Sequence, residues 1–320
     1  MNLNDFCIHF AHPAYQLASR FAARNTGIEH FQTWTGDQTR QRMGESNVLV
    51  LSGFWNNALL DQAGALRFIQ VCAAGFEQFD QSRIRAQGIR LAHGGGVNAN
   101  AVSDHAMALI LALNRQLHLA RDNQHRHHWR GMISDRDRRE DELPGKTILI
   151  VGLGRIGGRL ARLARAFGMR VIAVKRDTRE VPDGVDGLYP PQEFPGLLPQ
   201  ADIVVLCCPL TAETRHLIDA QALAAMQQSA CLINVARGGC VDQQALIEAL
   251  DAGAIAGAGI DVTSEEPLDP GSKLWDFDNL IVTPHSAGET RRYEDNVIDI
   301  LLDNLTRLAR GEPLLRNQIV

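Results

Sequence analysis

TILIVGLGRIG, residues 147–157, is the stretch whose reading decides the fold. The apolar run TILIV reads as a strand, and it passes directly into Gly152-Leu153-Gly154-Arg155-Ile156-Gly157 at the head of a helical pattern, GRLARLARAF. The glycine spacing has a mechanism. Gly152 permits a tight turn, Gly154 lets the backbone approach a pyrophosphate, and Gly157 lets the helix pack closely on the strand. The helix N-terminus at Arg155 and Ile156 then offers N–H groups and a positive dipole end to the phosphates. A lone G-x-G-x-x-G is a weak signal. With a strand before it, a helix after it and a second strand about twenty residues on, it reads as a dinucleotide site rather than a structural glycine turn.

Downstream the alternation of strand and helix continues. Strands are expected at VIAV (171–174), DIVVLCC (202–208), CLINVA (231–236), AGAGIDV (256–262) and LIVTP (280–284), with helices such as QQALIEALDAG between most of them. That pattern predicts an α/β, doubly wound parallel sheet of about six strands, a Rossmann nucleotide domain.

Three ionisable residues follow the carboxyl ends of three late strands: Arg237 after INVA, Glu266 after AGIDVTSE and His285 after LIVTP. Ligands of open α/β sheets bind outside those ends, so the three are expected to converge beside a nicotinamide. The residue types suit carbonyl reduction. A guanidinium holds a carboxylate and polarises a keto oxygen. An imidazolium gives that oxygen a proton as hydride arrives, and a carboxylate beside it keeps it oriented and charged. Singly, each has an ordinary alternative, a surface histidine or an arginine paired with a nearby acid. Their common position at strand ends lifts them above it.

Upstream, FCIHF, VLVLSG (48–53) and LRFIQV (66–71) are short apolar runs bounded by polar or Gly/Asn punctuation, which suggests a smaller α/β unit. A long apolar helix is expected from Ala99 to Leu119. The charged run Arg121 to Glu142 then reads as a solvated connector, or as an arm anchored by Trp129 on a second subunit. An amphipathic helix from Arg291 to Leu308 is expected to return to the first domain. The domains are thus 1–98 plus 290–320 and 99–289.

Bulk properties agree with a two-domain protein. The chain has 320 residues, 45% apolar and 22% charged, with net charge −5. That balance argues against nucleic acid or an anionic membrane as a partner, and no run approaches the ~20 apolar residues of a membrane span. MNLNDFCIHF lacks the features of a signal peptide, and the six cysteines show no metal spacing, so a cytoplasmic protein with free thiols and no metal is expected. At the end of VIAV stand Lys175 and Arg176, where a site for NAD(H) usually has an acid. Two cations suit a 2′-phosphate, so NADP(H) is favoured over NAD(H); the alternative is a surface strand end.

From about Phe68 to the end the chain resembles the D-isomer-specific 2-hydroxyacid dehydrogenases, including glyoxylate/hydroxypyruvate reductases. The motifs ELPGKTILIVGLGRIG, CPLTAETRHLI, INVARGGCVDQQALIEAL, AGIDVTSEEPL and IVTPHSAG occur in that family's order. The resemblance implies a flavodoxin-like α/β substrate domain beside the nucleotide domain, a homodimer formed through the segment around Trp129, and reduction of a small 2-keto acid to the D-2-hydroxy acid. It implies Arg237 as substrate anchor, His285 as acid/base and Glu266 as its partner. Asp261 would bond the nicotinamide carboxamide. Cys208-Pro209, Val235-Ala236 and Gly288 would line the cofactor, and the loop Ala73-Ala74-Gly75-Phe76 would hold the substrate carboxylate.

The chain departs from the family at His93-Gly-Gly-Gly96, which replaces Asn-x-Pro-Gly, and at Lys175. Phe54-Trp55 is individual to this chain; it either lines the substrate pocket, favouring a larger acid, or is ordinary packing. Two other functions stay open: a dinucleotide-sensing binding protein resembling the corepressors of this architecture, and a formate- or phosphonate-type dehydrogenase. Formate dehydrogenases carry glutamine where Glu266 stands, which speaks against the latter.

Overall fold

The computed structural model describes residues 3–320, the side chain of Asp137 excepted. The chain divides into two units, one of residues up to Asn98 with Glu289–Val320, the other Ala99–Gly288.

The first unit is a parallel sheet of β1 (Cys7–Ala11), β2 (Glu29–Thr33), β3 (Val48–Leu51), β4 (Phe68–Val71) and β5 (Arg90–Ala92) in the order β2-β1-β3-β4-β5, the flavodoxin-like arrangement. Alternate residues feed two cores: Ile8, Phe10, Val50 and Phe68 on one face, Leu49, Leu51, Ile69 and Leu91 on the other. The helix Tyr293–Ala309 covers the first face with Val297, Ile298 and Leu301. β2 and β5 are not among the expected strands. Both are edges; β2, EHFQT, is largely half-exposed and hence polar, and β5 is three residues long.

The second unit is a parallel sheet of β6 (Thr147–Val151), β7 (Arg170–Val174), β8 (Gly187–Tyr189), β9 (Ile203–Leu206), β10 (Cys231–Asn234), β11 (Gly257–Ile260) and β12 (Leu280–Val282), ordered β12-β11-β10-β9-β6-β7-β8. It is the doubly wound fold, with the strand order reversing between β6 and β9. The sheet has one strand more than expected, because β8 is a half-buried, three-residue edge. Leu149, Val151, Val204 and Leu232 face one core and Ile148, Ile150, Val205 and Ile233 the other, which is why these strands read as continuous apolar runs.

Two further expectations are corrected. The helix from Ala99 does not reach Leu119: it ends at Asn114, Gln116 turns left-handed at φ +49, and a second helix covers Leu117–His125. The charged run therefore begins inside a helix. The expected strands DIVVLCC, CLINVA, AGAGIDV and LIVTP also stop short, at Leu206, Asn234, Ile260 and Val282. The residues they shed are the ones that build the site.

Candidate active site

The glycines of the first turn behave as their spacing asks. Gly152 has φ +97, and a Cβ there would lie 2.7 Å from the Cys208 nitrogen, so the β6 turn sits directly against the turn after β9. At Gly157 a Cβ would meet the Gly152 carbonyl at 2.3 Å, which fixes the helix Arg155–Ala166 on the strand. A Cβ on Gly154, by contrast, would meet nothing within 4 Å beyond its own turn. That helix starts at Gly154 with no side chain capping it. Open space over an uncapped helix start at the switch point fits a pyrophosphate.

After β9 come Cys207, buried Cys208 and Pro209. The Cys208 and Cys240 thiols interact, which pushes Cys208 up and brings Cys240 down, with the Arg237 guanidinium helping to lower Cys240. After β10 come buried Val235 and Ala236, then exposed Arg237. Buried Asn234 shapes this turn: its Oδ1 accepts from the Ala236 N–H at 3.0 Å and its Nδ2 donates to the Arg237 carbonyl at 3.1 Å. Arg237 Nη1 donates to the Ala236 carbonyl at 2.7 Å. The next residue, Gly238, is packed against the Thr263 carbonyl, so the Arg237 turn lies against the loop that carries Glu266. Gln243 Oε1 ties the same loop down by accepting from the Ser264 amide and hydroxyl.

Beyond β11 and β12 the geometry is tighter. His285 Nδ1 lies 2.6 Å from Glu266 Oε2, while Glu266 Oε1 accepts from the Thr263 N–H at 3.2 Å. His285 is left-handed, at φ +53, a conformation uncommon for a non-glycine residue. Asp261 braces it. Its backbone carbonyl accepts from the His285 N–H at 2.8 Å. Its buried carboxylate accepts from Thr283 Oγ1 at 2.6 Å and from the Ser286 and Ala287 amides at 2.9 and 3.0 Å. Asp261, expected to face the cofactor, is thus also the organiser of the His285 loop. Gly288 ends this unit, half-buried.

Lys175 and Arg176 follow β7. The Lys175 N–H donates to the Tyr189 carbonyl of β8 at 3.0 Å, and Arg176 is exposed. The next residue, Asp177, is paired with Arg179 at 2.7 Å, which holds its carboxyl at about 2.

In the first unit, Phe54-Trp55 follows β3 and Ala73 to Phe76 follows the neighbouring β4. Trp55 stacks on Phe79 with centroids 4.5 Å apart and donates from Nε1 to Asn57 at 2.9 Å; Phe54, Ala73 and Phe76 pack on the same core. Both aromatic rings thus have packing partners within the unit. Gly94 of the His93 loop allows close contact with the residue after β4, since a Cβ there would lie 2.0 Å from the Cys72 carbonyl oxygen.

Comparison with known proteins decides the family. Residues 107–287 match the D-isomer specific 2-hydroxyacid dehydrogenase, NAD binding domain. The chain belongs to the D-isomer-specific 2-hydroxyacid dehydrogenases. A glycerate dehydrogenase of Methylorubrum extorquens is 34% identical over 290 residues, 89% of this chain and 90% of its own length. A glyoxylate reductase of Aeropyrum pernix is 38% identical over 262 residues, 79% of this chain and 76% of its own. The solved NADPH-dependent glyoxylate/hydroxypyruvate reductase of Sinorhizobium meliloti, in complex with citrate, superposes with a TM-score of 0.82 at 26% identity, covering 98% of each chain. This dehydrogenase is an oxidoreductase. Asn234 and Thr283, which brace the turns of Arg237 and His285, and His105, whose Nε2 lies 2.9 Å from Thr283 Oγ1, were not picked out by sequence reasoning.

Proposed function

We propose that this dehydrogenase reduces a small 2-keto acid of the glyoxylate or hydroxypyruvate kind to the D-2-hydroxy acid, with NADPH preferred to NADH. The observation that carries the reading is the His285–Glu266 pair at 2.6 Å, on a loop held left-handed, with the Arg237 turn packed against the loop of Glu266.

Each group has a stated task. When bound, the nicotinamide supplies the hydride. Arg237 holds the substrate carboxylate and polarises the keto oxygen. His285 is engaged through Nδ1 by Glu266, which leaves Nε2 to deliver a proton to that oxygen and to recover it in the reverse direction. The turns at Gly152 to Gly157, Cys208-Pro209 and Val235-Ala236 would hold the dinucleotide, with Asp261 and Gly288 toward its nicotinamide end and Lys175 and Arg176 toward a 2′-phosphate. Substrate contacts are proposed for Ala74, Gly75 and Phe76, and for Phe54 and Trp55. Homodimerisation through the segment around Trp129 and a cytoplasmic setting complete the reading. Among the described residues no helix is long and apolar enough to cross a membrane.

The test is turnover of glyoxylate, hydroxypyruvate and bulkier 2-keto acids with each reduced cofactor, read from nicotinamide absorbance, in the wild type, Arg237→Ala and His285→Ala. Both variants are expected to lose at least roughly 100-fold in kcat/KM. No turnover of any 2-keto acid by the wild type defeats the reading.

A further inference from the structure

β11 reads Gly257-Ala258-Gly259-Ile260 and leads into Asp261. A Cβ on Gly259 would lie 3.1 Å from Leu109 Cβ, and one on Gly257 3.6 Å from Leu113 Cδ2, so the helix Ala99–Asn114 rests on the strand where the strand lacks side chains. Leu113, Leu109 and His105 step back along the helix by four residues, about 6 Å each time. Gly257, Gly259 and Asp261 step forward along one face of the strand by two, about 6.6 Å each time. The near match of those rises carries the stripe that packs Leu113 on Gly257 and Leu109 on Gly259 onward to set His105 beside Asp261. There His105 Nε2 lies 3.7 Å from Asp261 Oδ1 and 2.9 Å from Thr283 Oγ1.

The proton order follows from the donors. Thr283 Oγ1 donates its one proton to the Asp261 carboxylate at 2.6 Å, so toward His105 it presents a lone pair. His105 therefore donates from Nε2–H. Asp261, fixed from this side, accepts in turn from the Ser286 and Ala287 amides and through its backbone carbonyl from the His285 amide.

We propose that His105 is a positioning residue of the reaction: it locks Thr283 and Asp261 in a one-way hydrogen-bond relay that holds His285 in its left-handed turn against Glu266. The proposal rests on the reading of His285 as the acid. Removing the relay leaves the residues that hold substrate in place but loosens the proton donor, so kcat falls while the keto-acid KM does not.

The experiment compares His105→Leu, His105→Gln, Thr283→Val and the double variant His105→Leu/Thr283→Val, with His285→Ala alongside, by steady-state reduction of the best keto acid and by thermal melting. His105→Leu is expected to lower kcat by roughly 10- to 100-fold with the keto-acid KM within about threefold of wild type. Glutamine, whose Nε2 donor stands where the imidazole Nε2 does, is expected to restore most of kcat. The double variant is expected to be no worse than the weaker single one, because both break one relay. A wild-type kcat in His105→Leu overturns the proposal, as does a glutamine variant as slow as the leucine one with a matching fall in melting point. If His285→Ala itself keeps kcat, the acid assignment fails first and takes the proposal with it.

Discussion

Gly238 stands so close to Thr263 that a Cβ on it would lie 1.9 Å from the Thr263 carbonyl oxygen. The contact is backbone against backbone, so no side chain can turn aside to relieve it. It joins the turn that presents Arg237 to the loop that presents Glu266. Gly154 is the opposite case, with nothing within 4 Å of where its Cβ would be and an ordinary φ of −87. Gly238→Ala is expected to cost about 1–3 kcal/mol, a melting midpoint lower by roughly 5 °C, together with most of the activity. Gly154→Ala is expected to leave the midpoint within about 1 °C while weakening cofactor binding about tenfold or more, because the methyl occupies the room of the pyrophosphate. Melting curves and cofactor titration by nicotinamide fluorescence separate the two; equal effects on both readouts in both variants would show that the glycines do not divide their tasks this way.

A second prediction concerns acid stability. His9 is fully buried in β1, stacked on Phe31, with Nε2 2.8 Å from Thr33 Oγ1. Thr39 donates to the Thr35 carbonyl, so Thr33 donates to Thr39 and His9 must donate to Thr33. Its Nδ1, the atom that would take the next proton, is buried without a partner, and burial brings its pKa from 6.5 down to about 4. Between those values the unfolded chain binds a proton that the folded chain refuses. Stability is therefore intact above pH 6.5 and falls as the pH drops toward 4, by up to about 3 kcal/mol from this residue. Urea unfolding near pH 7 and pH 4.5 should show the gap between wild type and His9→Gln closing at acid pH. A constant gap would mean that His9 does not carry the effect.

What could be read in the sequence, and what could not, follows from where each residue's partners lie. β6 and its glycines were legible because a strand buried on both faces writes a continuous apolar run, and the turn chemistry is local. Arg237, Glu266 and His285 were legible because each stands within a few residues of the carboxyl end of a strand that the sequence announces. β2, β5 and β8 were not, since edge strands carry polar residues or only three positions. Gln116 breaks its helix without a glycine or proline to announce it. His105 sits in an apolar helical pattern as one more polar residue. Its task depends on the register between that helix and β11, and no local signal encodes a register between elements some 150 residues apart in the chain.

The segment after the helix Leu117–His125 bears on assembly. That helix buries none of its residues in its own unit, and Trp129 and Met132 are 96% and 102% exposed, as open as in an unfolded peptide. Large side chains left so bare are a feature of association surfaces. The wild type is expected to sediment at twice the 35.2 kDa chain mass, and Trp129→Glu with Met132→Lys to sediment as a single chain at micromolar concentration. A dimer that survives both changes would place the interface elsewhere.

Cofactor choice gives the last prediction. The end of β7 offers a cation, Lys175, then Arg176, and its backbone is fixed by the Lys175 amide on Tyr189. The first acid that could take ribose hydroxyls, Asp177, is gripped by Arg179 at two atoms, Nε at 2.9 Å and Nη2 at 2.7 Å. On the proposed reading a free ribose hydroxyl would find its acid already engaged, whereas a 2′-phosphate would meet two cations. Lys175→Asp combined with Arg176→Ala is expected to lower the ratio of kcat/KM for NADPH over NADH by roughly 100-fold or more, since it removes two charge-assisted contacts and adds a like charge. Most of the change should appear as a higher KM for NADPH, because groups placed at the far end of the cofactor would act equally on ground and transition states. Raising the salt concentration should weaken NADPH binding in the wild type more than in the variant. An unchanged ratio would leave Lys175 and Arg176 as surface charges at a strand end.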